Sequence, residues 1–105
     1  MRVISRRALR EFWEVQRQAE APLSAWYRVM HLTRFKDFLA VKTAFPAADY
    51  VAPYTIFDIG GNKFRLIARI YYDTGRVYVH DVQTHSEYDR WSDDNRRRKR
   101  PTRGK

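Results

Sequence analysis

The residues best suited to chemistry are His85 and Tyr88, which lie three apart in the segment Thr84-His85-Ser86-Glu87-Tyr88-Asp89. Histidine is the side chain whose ordinary pKa lets it transfer protons near neutrality. A phenol three residues further along a helical turn falls on the same side. Upstream, the segment Lys63-Phe64-Arg65-Leu66-Ile67-Ala68-Arg69-Ile70-Tyr71-Tyr72 reads as a strand. Alternation puts Lys63, Arg65, Ile67, Arg69 and Tyr71 on one face, with cations at a repeat of about 7 Å. Such a row suits a sugar–phosphate backbone, and arginine can grip phosphate oxygens with two parallel hydrogen bonds. Each feature also has an ordinary reading: an outer sheet face rich in charge, and a histidine and tyrosine that cap and pack a helix. Asp58 and Asp81, on neighbouring strands, could neutralise part of the row. His31, His80 and His85 lack ligand spacing and there is no cysteine, so neither a metal nor another cofactor is expected.

Several elements must position these groups. Met1 to Ile4 can form a short opening strand, and Ser5 is an acceptable helix N-cap. Leu9, Phe12, Trp13 and Gln16 then follow helical spacing, which predicts an amphipathic helix to about Gln18. Pro22 suits the first turn of a second helix, whose stripe is Leu23, Trp26, Tyr27 and Met30. These aromatic side chains read as core packing. Asp37 can cap a short helix through Ala44 that turns Phe38, Val41 and Phe45 inward, and Pro46 stops it. The period then changes. Tyr54–Ile59, Lys63–Tyr72 and Arg76 to about Gln83 read as three strands joined by Gly60-Gly61-Asn62 and Asp73-Thr74-Gly75, an antiparallel meander. Val77 and Val79 share parity whereas Val82 does not, so a bulge near His80-Asp81 is needed for all three to face inward. Phe64, Leu66, Ala68, Ile70 and Tyr72 form the core face of the middle strand. The whole is an α+β domain in which two N-terminal helices cover one face of a small antiparallel sheet, with a short C-terminal helix.

With 105 residues the chain fits one domain with a modest core. The formal charge is +9, but seven of the 21 basic residues fall in 96–105, leaving 14 basic against 12 acidic residues before them. The excess therefore lies in a tail, and the expected organisation is a folded domain over 1–92 and a disordered basic tail over 93–105. A basic tail favours polyanions by counterion release and carries no sequence information. No apolar run approaches the roughly 20 residues a spanning helix needs, and the N-terminus does not lead into a signal-peptide core. These features predict no membrane association and a cytoplasmic location.

Phe57-Asp58-Ile59-Gly60-Gly61-Asn62-Lys63-Phe64-Arg65-Leu66, followed some twenty residues later by Thr84-His85-Ser86-Glu87-Tyr88-Asp89, resembles the HigB toxin family of the RelE/ParE superfamily. The opening Arg2-Val3-Ile4, Phe12-Trp13, Ala21-Pro22-Leu23 and Val41-Lys42-Thr43-Ala44-Phe45-Pro46 match it too, so that the resemblance covers residues 1 to 91 or so. It implies a RelE-like fold with the site on the open face of the sheet. It also implies a toxin that cleaves mRNA, usually in the ribosomal A site, and is silenced by a HigA-like helix-turn-helix antitoxin. RelE-type chemistry uses no metal: the 2′-hydroxyl attacks the adjacent phosphate, leaving a cyclic phosphate and a 5′-hydroxyl. Carried over by position, Lys63, Arg65 and Arg69 would hold the scissile phosphate and stabilise its extra charge. His85 would act as general base or acid, and Tyr88 as the other proton carrier or a stacking platform. Asp89 would orient one of them, and Asn62 would fix the turn. Two alternatives remain open: a non-catalytic gyrase poison of the same fold, and a basic RNA- or ribosome-binding module.

Overall fold

In a computed structural model that describes residues 1–99, with side chains through Arg96, the chain is an α+β domain built on a five-stranded sheet. The order of elements is β1 (Arg2–Ile4), α1 (Arg6–Val15), α2 (Glu20–Leu32), α3 (Phe38–Ala44), β2 (Asp49–Val51), β3 (Tyr54–Ile59), β4 (Phe64–Tyr71), β5 (Arg76–Thr84) and α4 (His85–Lys99). The strands lie in the order β1-β5-β4-β3-β2. The meander β3-β4-β5 is antiparallel, and β2 extends it. The sheet is nevertheless mixed, because β1 pairs in parallel with β5. That pairing connects elements at opposite ends of the chain, which local pattern does not encode.

Ser5 caps α1 as its sequence suggests, its Oγ accepting from the Ala8 N–H at 3.3 Å. The helix stops at Val15, earlier than the apolar spacing implies. A 3₁₀ turn over Arg17–Ala19 then leads straight into α2, which starts at Glu20 with Pro22 in its first turn. Asp37 caps α3 by accepting from the Ala40 N–H at 2.9 Å. The N-terminal ammonium donates to the carbonyls of Met30 and Thr33, both at 2.9 Å, and so ties β1 to the end of α2.

Leu9, Leu23, Trp26 and Met30 are buried against one face of the sheet, where Phe57, Ile59, Phe64, Leu66, Ala68, Val77 and Val82 meet them. Phe57 is central, with the rings of Trp26 and Phe45 set edge-on at 5.4 and 5.1 Å. The bulge in β5 is present. Ile67 pairs with Asp81 and Ala68 with Val79, so His80 is the extra residue. It restores inward parity, leaving Val77 and Val82 buried and Val79 packed against the core.

The second face is not bare. Ile56 and Ile67, paired across β3 and β4 on the side away from α1 and α2, are also buried. On this face α4 sets Tyr88 against Arg65 and Trp91 against Tyr54; it begins directly at the end of β5 and continues past Ser92-Asp93-Asp94-Asn95 to Lys99. The expected end of compact structure at residue 92 thus falls inside a helix, where Asp93 and Arg96 pair one turn apart. The remainder of the predicted tail, from residue 100, lies outside the described residues.

Candidate active site

The start of α4 is set by a reciprocal cap. The Glu87 N–H donates to Thr84 Oγ1 at 3.3 Å, and the Thr84 N–H donates to Glu87 Oε1 at 2.9 Å. This is a capping box, two backbone donors satisfied by two side chains. It turns the chain from strand to helix within one residue, so that His85 opens the helix and Tyr88 completes its first turn. The Thr84-x-x-Glu87 spacing was the sequence signal for it. His85 Nε2 lies 3.5 Å from Asp89 Oδ2, one turn on, and both side chains are exposed. Asp89 thus faces His85, as one of its two expected roles required.

Tyr88 is half-buried and its ring lies over the Arg65 guanidinium, 5.6 Å from the ring centroid. Arg65 is the most constrained of the cations. Its Nε is 3.1 Å from Asp58 Oδ1 on the adjacent strand, directly across the β3–β4 pair. Its Nη1 donates to the Phe64 carbonyl at 3.2 Å, and its Nη2 donates to Asn62 Oδ1. A guanidinium carries two hydrogens on each terminal nitrogen, so one N–H on each remains for an incoming anion. The planar fork is therefore held in advance, with the geometry that a phosphate takes.

Asn62 has two tasks. Gly60, Gly61 and Asn62 all occupy the left-handed region, at φ 65°, 59° and 86°. Asparagine tolerates that backbone, and here its side chain also fixes Arg65. The same left-handed run rotates the chain out of the pleat before β4, which displaces Lys63 from the expected row. Its Nζ donates to Gln18 Oε1 at 3.3 Å, toward the connection between α1 and α2. The row of three is thus corrected to Arg65 and Arg69, with Ile67 buried between them. Those two residues are about 13 Å apart along the strand, too far to grip one phosphate together. Arg69 is exposed, its guanidinium 5.3 Å from the centroid of Tyr71.

Of the two acids expected to offset the row, Asp58 does so. Asp81 instead accepts from Gln83 Nε2 and from the Val82 N–H, both at 2.9 Å. Three further aromatic positions lie on the same face, and no spacing in the sequence ties them to the site. Trp91 packs against Tyr88 at 5.9 Å and against Tyr54 at 5.7 Å, and Tyr54 meets the His80 ring at 4.7 Å. The spacing of Tyr88, Trp91 and Asn95 was the faint mark of α4's packing side, and alternation from the inward Val79 puts His80 on this face.

The arrangement is an open surface. A hollow of about 330 Å³ lies beside it, lined by Asp81, Gln83, Glu87, Arg90, Trp91 and Asp94 among others. A hollow of about 360 Å³ between α1 and α2 contains none of the predicted groups. An open cationic face with aromatic rings accommodates a chain-like polyanion better than an enclosed small molecule. Among the described residues, no three of His, Cys, Asp and Glu gather as a metal site, and no helix is long and apolar enough to cross a membrane.

Comparison with known proteins places the chain in a family. Residues 19–91 match the model of HigB_toxin, described as the RelE-like toxic component of a toxin-antitoxin system. The chain is 30% identical over 92 residues to the mRNA interferase toxin HigB of Escherichia coli K12, covering 85% of this chain and 88% of that protein. The mRNA interferase HigB of Shigella flexneri gives the same figures. That of Escherichia coli O6:H1 is 32% identical over 93 residues, covering 86% of this chain and 90% of the relative. The matched span includes α2, α3, the strands β2 to β5 and the start of α4, hence Asn62, Arg65, His85, Tyr88 and Asp89. The chain belongs to the HigB family of RelE-like toxins, the toxic components of toxin-antitoxin systems.

Proposed function

We propose that this toxin is an endoribonuclease that cleaves mRNA in the ribosomal A site, using the 2′-hydroxyl of the nucleotide before the cut as nucleophile. The observation that carries the reading is the Arg65 guanidinium, anchored by Asp58, Asn62 and the Phe64 carbonyl beneath Tyr88, with a donor left on each terminal nitrogen. The names of the relatives, mRNA interferases, supply the substrate.

In the reaction, the 2′-oxygen bonds to phosphorus while the bond from phosphorus to the 5′-oxygen breaks. One proton leaves the 2′-hydroxyl and one reaches the departing 5′-oxygen, giving a 2′,3′-cyclic phosphate and a 5′-hydroxyl. His85 and Tyr88 share these two transfers, with Asp89 orienting His85. Arg65 binds the non-bridging oxygens and stabilises the extra negative charge of the pentacoordinate state, where a preorganised donor is most effective. Arg69 holds a neighbouring phosphate, since it lies too far along β4 for the scissile one. Lys63, at the turn, meets the strand on the other side. The ribosome displays the strand, a helix-turn-helix antitoxin of the HigA type silences the toxin, and the protein acts in the cytoplasm.

The chemistry is tested on the products. Fragments from mRNA-programmed ribosomes should accept label from polynucleotide kinase at the 5′ end without prior phosphatase. Their 3′ ends should resist ligation until the cyclic phosphate is opened and the resulting phosphate removed to leave a 3′-hydroxyl. Fragments bearing 5′-phosphates would exclude the 2′-hydroxyl mechanism.

A further inference from the structure

The hairpin end of β4 and β5, remote from His85, carries beside Arg69 three side chains, Tyr71, Arg76 and Tyr78, that cleavage at Arg65 does not use. By alternation, Arg69 and Tyr71 share the outer face of β4, and Arg76 and Tyr78 share that of β5. Arg69 stands opposite Tyr78, and Tyr71 stands opposite Arg76. Cations and rings therefore alternate in a two-by-two checkerboard, with all four side chains exposed. The Tyr71 and Tyr78 rings meet edge-to-face, with centroids at 5.5 Å and planes at 86°. Tyr71, Thr74, Arg76 and Tyr78 line a hollow of about 300 Å³.

The charges make this end unusual. Arg2 on β1 pairs directly with Arg76, and like charges opposite one another destabilise a sheet. Among the described residues no carboxylate forms an ion pair with Arg2, Arg69 or Arg76. The hairpin tip is also held rigid. Arg34 Nη2 donates to the carbonyls of Tyr72 and Asp73 at 2.9 and 3.0 Å, and Gly75, at φ 71°, lies where any Cβ would collide with that guanidinium. A cross-strand tyrosine pair serving stability alone would not call for three arginines without carboxylate partners around it, although Arg69 lies against the Tyr71 ring.

We propose that Tyr71 and Tyr78 form a stacking platform for an unpaired nucleotide of the substrate strand, with Arg69, Arg76 and Arg2 holding its flanking phosphates. The proposal rests on the reading of this face as an RNA-cleaving surface, and it adds a subsite that fixes the register of the strand. Tyr71 lies six residues from Arg65 on the same strand face, about 20 Å away, so the platform takes a base several nucleotides from the cut. Stacking on an aromatic side chain tolerates any base, so the subsite adds affinity and register without sequence preference.

The probe is a fluorescein-labelled ten-nucleotide RNA, 2′-O-methylated throughout so that it cannot be cut, read by fluorescence anisotropy with the full-length protein. Tyr71→Leu/Tyr78→Leu should bind it about tenfold more weakly, the usual effect of losing one stacked base. Leucine preserves apolar packing, and thermal unfolding verifies that the variant is folded. Tyr50→Leu, a control at another exposed tyrosine, should bind like wild type. Scanning an abasic residue along the strand should cost wild type about tenfold at one or two adjacent positions, and the double variant nothing further there. Equal affinity of folded wild type and double variant, or a flat abasic scan, overturns the proposal.

A second arm identifies the source of the base. On programmed ribosomes, the same abasic residue in the mRNA should slow cleavage by wild type and not further slow the double variant. An effect of the tyrosine substitutions that ignores the mRNA lesion would assign the platform to ribosomal RNA and overturn the proposal as stated. Intact mRNA on ribosomes, with a positive abasic scan in solution, would instead refute the cleavage reading and leave the platform standing.

Discussion

Arg65 and Asp58 face one another across β3 and β4 with Nε and Oδ1 3.1 Å apart, the arginine side chain only 12% exposed and the aspartate 33%. An arginine so enclosed cannot sweep through solvent in search of a phosphate. Its direction is set by Asp58 and Asn62, and its remaining donors by what those two leave over. Asp58 is accordingly a positioning residue. Asp58→Asn should lower the single-turnover cleavage rate by ten- to a hundredfold, the scale on which misplacing a catalytic group by about 1 Å acts. RNA affinity, measured separately with an uncleavable strand, should hold or tighten, because one negative charge is lost beside the site. A parallel loss of affinity and rate would point to a collapsed surface instead.

Glu87 places the helix that carries His85 and Tyr88. Removing one half of a capping box costs about 1 kcal/mol, or a fall of roughly 4–8 °C in Tm for a domain of this size. Glu87→Ala should therefore melt several degrees lower and cleave more slowly, since the first turn of α4 frays. Unchanged Tm and rate would mean that the turn is held by packing of Tyr88 and Trp91 alone.

Ile67 tests whether the second face is truly covered. Its side chain is fully buried although it lies on the face opposite the main core. Ile67→Ala should cost about 2–5 kcal/mol by chemical denaturation, as for a buried aliphatic truncation. A loss within about 0.5 kcal/mol is what an open face would give.

Tyr72 makes stability fall in alkali. Burial raises its pKa above the ordinary 10.0, only partly opposed by the nearby Thr55 side chain, and Asp37 and Tyr50 raise it further. Above pH 10.0 the unfolded chain releases this proton while the folded chain keeps it. The unfolded state then binds fewer protons, so stability declines as pH rises from the unfolded toward the folded value. Urea midpoints at pH 9, 10 and 11 should fall faster for wild type than for Tyr72→Phe. Identical slopes would assign the decline to other groups.

Much of this was legible in the residues. Ser5 and Asp37 announced their helices because an N-cap is a local device. The parity slip between Val79 and Val82 disclosed the bulge, since a strand must bury one face. What escaped had non-local causes. β1 joins β5 in parallel across almost the whole chain, and β2 is a three-residue edge strand with no pattern of its own. α4 looked short because it is highly charged, and its half-buried positions, Tyr88, Trp91, Ser92 and Asn95 among the described side chains, are sparse in a polar sequence. In the site, the composition of the cationic strand was readable but its geometry was not. Lys63 leaves the row because three successive residues turn left-handed before it. Ile67, buried on the same face, divides the remaining pair.

The most direct test of the central claim is primer-extension mapping of mRNA on programmed bacterial ribosomes, with wild-type protein and folded Arg65→Ala side by side. The account predicts new 5′ ends within the A-site codon for wild type, and a rate at least a hundredfold lower for the variant, as for loss of a preorganised oxyanion donor. Equal cleavage by the two proteins, or no new ends from folded wild type, would contradict it.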